Sequence, residues 1–253
     1  MNCIITPTNQ FNNSFLRTIN SILGQTIASW KWFIVNDSGV SVKNINDIIK
    51  LTQGDSRVKI INNKYGRGAG NARNFALDLI KKKYRSCNLF FIDAGDEWNN
   101  SFLEDSLANL ELYDVNIVSS SYLMQWKNGM QKKVIKSGTR TYKNMLKDYS
   151  TSCLSTALKI DDTSIFSKIR FGETVRVNDQ PFFLSAVKYY GSVEQIKDIQ
   201  ATYHVGDSTS LSGKKIYTAI GKWRILKNQD LPLICRLYYF AFYFINGFKK
   251  YYL

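Results

Sequence analysis

Histidine, proline and cysteine are scarce in this 253-residue chain, which holds one, three and four of them. The lone histidine, His204, excludes a site built from several imidazoles. Cys3, Cys87, Cys153 and Cys235 lie far apart and form no C-x-x-C pair. Free thiols in a reducing compartment are therefore expected. No apolar run reaches the roughly 18 to 20 residues that span a bilayer. The opening "MNCIITPTNQ" reads as a short strand running into a turn, not as a secretory leader. The expected location is the cytoplasm, with peripheral contact at the inner face of the cell membrane as an open alternative.

Acids are also few. Twenty Asp and Glu face thirty-four Lys and Arg, a net charge of +14. Such an excess keeps a surface soluble, and it also attracts polyanions such as nucleic acid, nucleotide phosphates or an anionic membrane. No helix-turn-helix, zinc finger or RNP-like stretch is present, so nucleic acid is not an expected partner. The charge gathers late: residues 214–253 hold eight Lys and Arg against one acid, Asp230.

What is present is a globular chain, 44% hydrophobic, large enough to bury a core without staples. Its first half alternates strand and helix. Strands are predicted at Cys3 to Thr6, Trp32 to Val35, Val58 to Ile61, Leu89 to Ile92 and Val115 to Ser119. Helical spacing appears over Phe15 to Leu23, Ile45 to Leu51, Ala69 to Ile80 and Phe102 to Leu112. This order predicts an α/β fold with a Rossmann-like, mostly parallel sheet covered by helices. The second half is mixed. A hairpin is predicted at Asn128-Gly129, helices near Tyr142 to Asp148 and Pro181 to Tyr190, and a strand near Leu154 to Lys159.

The chemistry-bearing residues sit at predicted strand ends. "NLFFIDAGDEW" runs an apolar strand straight into Asp93 and Asp96, and "NDSG" follows the second strand. Open parallel sheets bind ligands beyond the carboxyl ends of their strands. There Asp37 could accept a hydrogen bond from a base, and Asp93 and Asp96 could hold a ribose hydroxyl or a divalent cation. The plainer reading is a turn and an acidic helix start. "KYGRGAGNARNFAL" places G-x-G-x-G before a helix, with Arg67 and Arg73 beside a crevice fit for a diphosphate. Against that stands a tight glycine turn with Arg73 on a solvent face.

Three stretches in this order resemble a bacterial family 2 glycosyltransferase of the glycosyltransferase A fold. They are "IITPTNQFNNSFLRTINSILGQTIASWKWFIVNDSG", "GRGAGNARNFAL" and "FFIDAGDEW", which is similar to the family's F-L-D-A-D-D-x-W metal motif. The resemblance implies that Asp37 reads a uracil and that Pro7 and Thr8 line the base pocket. It implies Arg73 near the diphosphate, Asp93 on the nucleotide, and Asp96 on Mn²⁺ or Mg²⁺. Two positions depart from the pattern: Asn36 replaces the first acid of V-D-D, and Gly95 replaces an acid of the metal motif.

The same resemblance places a catalytic base in "RFGETVRVNDQPFFLSAV", where Asp179 matches the acid of an E-D motif and Asn178 replaces its Glu. Asp179 also reads as an N-cap with Pro181 in the first turn. Glu173 is the rival base. His204 is a candidate helper on metal or phosphate. The tail "LPLICRLYYFAFYFINGFKKYYL" reads either as an interfacial helix on an anionic membrane or as a packed terminal helix.

The expected organisation is a nucleotide-sugar part at 1–120 and an acceptor and base part of the same domain at 121–212. A basic aromatic helical extension follows at 213–253. The expected function is metal-dependent, inverting transfer from a nucleotide sugar, with a UDP-linked donor expected, to a cell-surface glycan or lipid-linked saccharide. The alternatives are a non-catalytic sugar-nucleotide binder and a basic nucleic-acid-binding protein.

Overall fold

The computed structural model describes residues 1–9, 13–37, 50, 52, 54–172, 177–205 and 215–252, with main chain only at 215–218 and 246–252. Apart from Lys50, the predicted helix at Ile45 to Leu51 lies outside the described residues, as does the rival base Glu173.

The first strands are apolar on both faces, as strands covered by helices on both sides must be. β1 (Asn2–Thr8), β2 (Trp30–Asn36), β3 (Val58–Asn62) and β4 (Cys87–Phe91) lie parallel in the order β3-β2-β1-β4. Successive side chains alternate between two cores. Cys3, Ile5, Phe33, Val35, Leu89 and Phe91 enter one, which α2 (Ala69–Lys83) and α5 (Asp179–Tyr190) cover. Ile4, Trp32, Ile34, Phe90 and Ile92 enter the other, covered by α1 (Asn13–Leu23) and α3 (Phe102–Leu112).

Beyond β4 the sheet continues through β9 (Thr156–Ile160), β6 (Ile117–Trp126), β10 (Ser192–Val205) and the two-residue β5 (Glu97–Trp98). β9 runs antiparallel between β4 and β6, while β6 and β10 are parallel to each other. The expected mostly parallel, helix-flanked sheet is therefore present, with one reversed strand inside it. β6 crosses residue 120, so the first two predicted parts share one sheet. The Asn128-Gly129 hairpin joins β6 to β7 (Gln131–Val134), with Trp126 N–H donating to the Met130 carbonyl at 2.9 Å. β8 (Gly138–Thr141) pairs with β10 and leads into α4 (Tyr142–Lys147).

The C-terminal extension is two helices, α6 (Lys215–Lys227) and α7 (Leu233–Tyr252). Among the described residues no helix is long and apolar enough to cross a membrane.

Candidate active site

Asp93 and Asp96 belong to a turn that only glycine fits comfortably. Gly95 has φ +109, a region that side-chain-bearing residues avoid. Its N–H donates to Thr18 Oγ1 at 2.9 Å, and its carbonyl accepts from Arg17 at 3.3 Å. Thr18 Oγ1 in turn donates to the Asp96 carbonyl at 2.7 Å. The glycine found where the family motif has an acid is thus a backbone requirement of this turn. Trp98 anchors the next residues: it stacks on Phe102 at 4.4 Å and donates Nε1 to the Leu154 carbonyl at 2.6 Å.

The turn presents two carboxylates to one cavity of about 300 Å³, which Arg73, Tyr122, Asn178, Asp179 and Tyr203 also line. Asp96 is buried, and Oδ1 accepts the His204 N–H at 2.9 Å. Burial pushes its carboxyl well above the usual range and the charge of Asp93 adds to this, while the His204 N–H and Arg17 oppose. A cation here would relieve both effects. Hard divalent cations are often held by one or two carboxylates plus substrate phosphate oxygens, and Asp93 with Asp96 supply that donor set. Among the described residues no group of three or more His, Cys, Asp or Glu could hold a metal ion.

Arg73 does not lie on a solvent face. It is 2% exposed and spans the cavity wall, donating to Asp93 and, at 3.2 Å, to Asn178 Oδ1. Burial opposes its charge, but Asp93, then Cys153 and Asp179, outweigh that and hold it above its usual value. Its helix can approach because position 70 is glycine: a Cβ there would stand 2.2 Å from the Gly172 carbonyl oxygen. The third glycine of G-x-G-x-G therefore admits a neighbouring backbone.

Asp179 is the first residue of α5, not its cap; Asn178 takes that position. Asn178 also accepts the Gly172 N–H on its carbonyl at 2.7 Å. The Tyr149 hydroxyl donates to Asp179 Oδ2 at 3.2 Å. Burial raises the Asp179 carboxyl, and Arg73 and Tyr149 oppose without cancelling. A helix N-terminus favours the carboxylate form, but burial outweighs that here. The result is a stronger base than an ordinary Asp.

Pro7, Thr8 and Asp37 sit at the ends of β1 and β2 and do not line this cavity. Asp37 N–H donates to the Thr8 carbonyl at 2.8 Å. Its carboxylate accepts from Asn63 Nδ2 and from the Gly68 N–H, each at 2.7 Å. Asp37 thus ties the glycine loop to the strand ends. The His204 ring also lies outside the lining, with Nε2 2.7 Å from Glu97 Oε1, and only its main chain reaches Asp96. Tyr149, Tyr122 and Tyr203 escaped the sequence reading, since no local pattern marks a tyrosine that meets a site through distant folding.

Beside this geometry stand three kinds of likeness. Residues 3–169 match the model of glycosyl transferase family 2. An Escherichia coli UDP-Glc:α-D-GlcNAc-diphosphoundecaprenol β-1,3-glucosyltransferase, WfgD, is 26% identical over 98% of this chain and 93% of its own length. A second E. coli enzyme with the same named activity, WfaP, is 28% identical over 92% of this chain and 88% of its own. The first 349 residues of Staphylococcus aureus TarS, solved with UDP-GlcNAc, superpose with a TM-score of 0.71 at 19% identity, over 98% of this chain and 73% of that one.

Proposed function

The chain belongs to glycosyl transferase family 2 and is a glycosyltransferase of the glycosyltransferase A fold, and from that premise we propose that it moves glucose from UDP-glucose to an N-acetylglucosamine carried on a lipid diphosphate. The observation that carries the reading is the meeting of Asp93, Asp96, Arg73 and Asp179 around one cavity. Two relatives aligned over more than nine-tenths of this chain are named for that donor, acceptor and β-1,3 linkage. UDP-glucose is α-linked, so a β product requires inversion, and one displacement with one base accomplishes it.

In this reading Asp37, with Pro7 and Thr8, receives the uracil, and the Gly68 loop that Asp37 holds flanks the diphosphate. Asp96, with Asp93 beside it, would hold Mn²⁺ or Mg²⁺, which supplies charge neutralisation to the departing diphosphate. Arg73 balances Asp93 and keeps Asn178, and so the start of α5, in place. Asp179 takes the proton from the acceptor hydroxyl as the sugar carbon is attacked. His204 supports Asp96 through its N–H. For its ring to join the cation it must leave Glu97. A lipid-borne acceptor places the enzyme peripherally at an anionic membrane, on the inner face of the cell membrane.

The test is a panel of UDP-, GDP-, CMP- and dTDP-sugars in thermal shift with and without Mn²⁺, followed by transfer to a synthetic GlcNAc-diphospholipid. A bound donor stabilises by mass action. Stabilisation and transfer with UDP-glucose are expected. Stabilisation by a different sugar nucleotide alone would overturn the donor assignment.

A further inference from the structure

Helix α7 has two apolar faces, and among the described residues only one is covered. Tyr239 and Phe240 pack on the core beneath α2 and α5, and Phe240 meets Trp223 of α6 with ring centroids 5.2 Å apart. On the other side Ile234, Leu237, Tyr238, Phe244 and Ile245 are exposed, Ile234 at 77% and Phe244 at 57%. Ala241 between them is exposed too. These positions recur at the helical spacing and form one continuous stripe along α7. Scattered exposed apolar residues need no explanation, but a contiguous stripe marks an interaction surface.

A lysine borders the stripe, and the sequence of this C-terminal segment is basic. The Lys147 ammonium lies 5.5 Å from the Tyr238 ring and 5.4 Å from that of Phe242. Residues 214–253 carry eight Lys and Arg against one acid, and the whole chain has a net charge of +14. A second copy of the chain would bring the same positive excess to the contact and be repelled. An anionic lipid surface complements both the apolar stripe and the charge around it.

We propose that the exposed face of α7 docks the enzyme on an anionic membrane surface. Ile234, Leu237, Tyr238, Phe244 and Ile245 enter the boundary between headgroups and acyl chains, and the basic residues remain among the headgroups. Docking is interfacial and reversible, since no described helix is apolar enough to span the bilayer. The docked face connects to the cavity by contact. Phe240 rests on Trp223 of α6, and on the same helix a Cβ at Gly221 would stand 2.7 Å from Val177 Cγ2. Val177 lines the cavity beside Asp179. The inference rests on the proposed function only for its purpose, which is to bring the cavity to a lipid-borne acceptor.

The experiment is sedimentation of the full chain with vesicles of phosphatidylcholine mixed with phosphatidylglycerol, and with phosphatidylcholine alone. Wild-type protein should sediment with the mixed vesicles, and raised salt should release it. The triple variant Ile234→Ser, Leu237→Ser, Phe244→Ser changes exposed positions only and should lose about tenfold or more of its vesicle partitioning. Its transfer to a short, water-soluble GlcNAc-diphosphate acceptor should match wild type. Ile234→Ser alone should lower binding in the same direction, which keeps the test valid if the triple variant misfolds. Equal sedimentation of wild type and variants overturns the proposal. So does a dimer in light scattering that the variants dissolve, which would make the stripe a subunit interface. Vesicle binding without sugar transfer from any donor leaves the docking surface standing and removes the functional reading.

Discussion

The Tyr149 hydroxyl donates to Asp179 Oδ2, and the same Asp179 shares a cavity with Asp93 and Asp96. Tyr149 is itself held protonated, because burial and then the neighbouring Asp179 raise its phenol well above the usual value. It can only donate to the base, and it therefore favours the carboxylate form of Asp179.

Asp179→Asn keeps the shape of the helix start but cannot take a proton. Transfer should fall roughly 10²-fold or more, with UDP-sugar binding retained. The acid limb of the wild-type kcat/KM profile should lie above pH 4, the ordinary Asp range, because burial raises this carboxyl. Tyr149→Phe removes a bond that favours the carboxylate, so that limb should move to still higher pH while the plateau rate survives. A pH profile unchanged in Tyr149→Phe would sink the coupling, and wild-type transfer by Asp179→Asn would sink the base.

Asp96→Asn should abolish the gain in UDP affinity that Mn²⁺ or Mg²⁺ confers, measured by calorimetry. In the wild type, protons compete for the same carboxylate. Its raised titration means that cation affinity should weaken as the pH is lowered towards mild acidity, earlier than for an ordinary Asp. UDP binding that is identical with and without EDTA would contradict the metal assignment.

Asp37→Ala should weaken UDP by about 1 to 3 kcal/mol, the cost of losing a charged hydrogen bond. It should also free the Gly68 N–H and Asn63 Nδ2 and so raise hydrogen exchange in the glycine loop. UDP affinity equal to wild type would remove Asp37 from the base pocket.

Lys136 is buried, donates to Ser119 and Ser155 Oγ, each at 3.0 Å, and is lowered to about 7 by burial. In the unfolded chain an amine titrates near 10.4. Below about pH 7 both states carry the charge and the fold bears the full cost of burying it. Between about 7 and 10 the folded chain sheds a proton that the unfolded chain keeps, so stability from this group rises with pH. Lys136→Met should therefore gain more melting temperature at pH 6 than at pH 9. An equal gain at both would refute a buried charged amine.

Part of the fold was legible because its signals are local. Apolar strands broken by "NDSG" and "DAGD" announce strand ends, and Phe15, Ile19 and Ile22 announce a buried helix face. β10 was not read, for a physical reason: its pairing with β6 shifts register between Ile196 and Ile199 and again between Ile199 and Ala201. Such irregularities break the alternation of two on which strand reading depends. Arg73 was left open between crevice and solvent, since a single arginine on a helix carries no record of what packs over it.

By itself the sequence determined the alternation of strands and helices in the first half, the acids at the strand ends and an acid at a helix start. Each follows from neighbours within a few residues. Only the tertiary structure decided that β9 enters the sheet reversed, that Tyr149 reaches Asp179, that Gly95 is demanded by its turn and Gly70 by the nearby Gly172 backbone. Only it decided, too, that the His204 ring goes to Glu97. These depend on burial and on contacts between residues up to a hundred or more positions apart, and there the dielectric of the folded interior, not the local pattern, sets which charges pair and which are left to do chemistry.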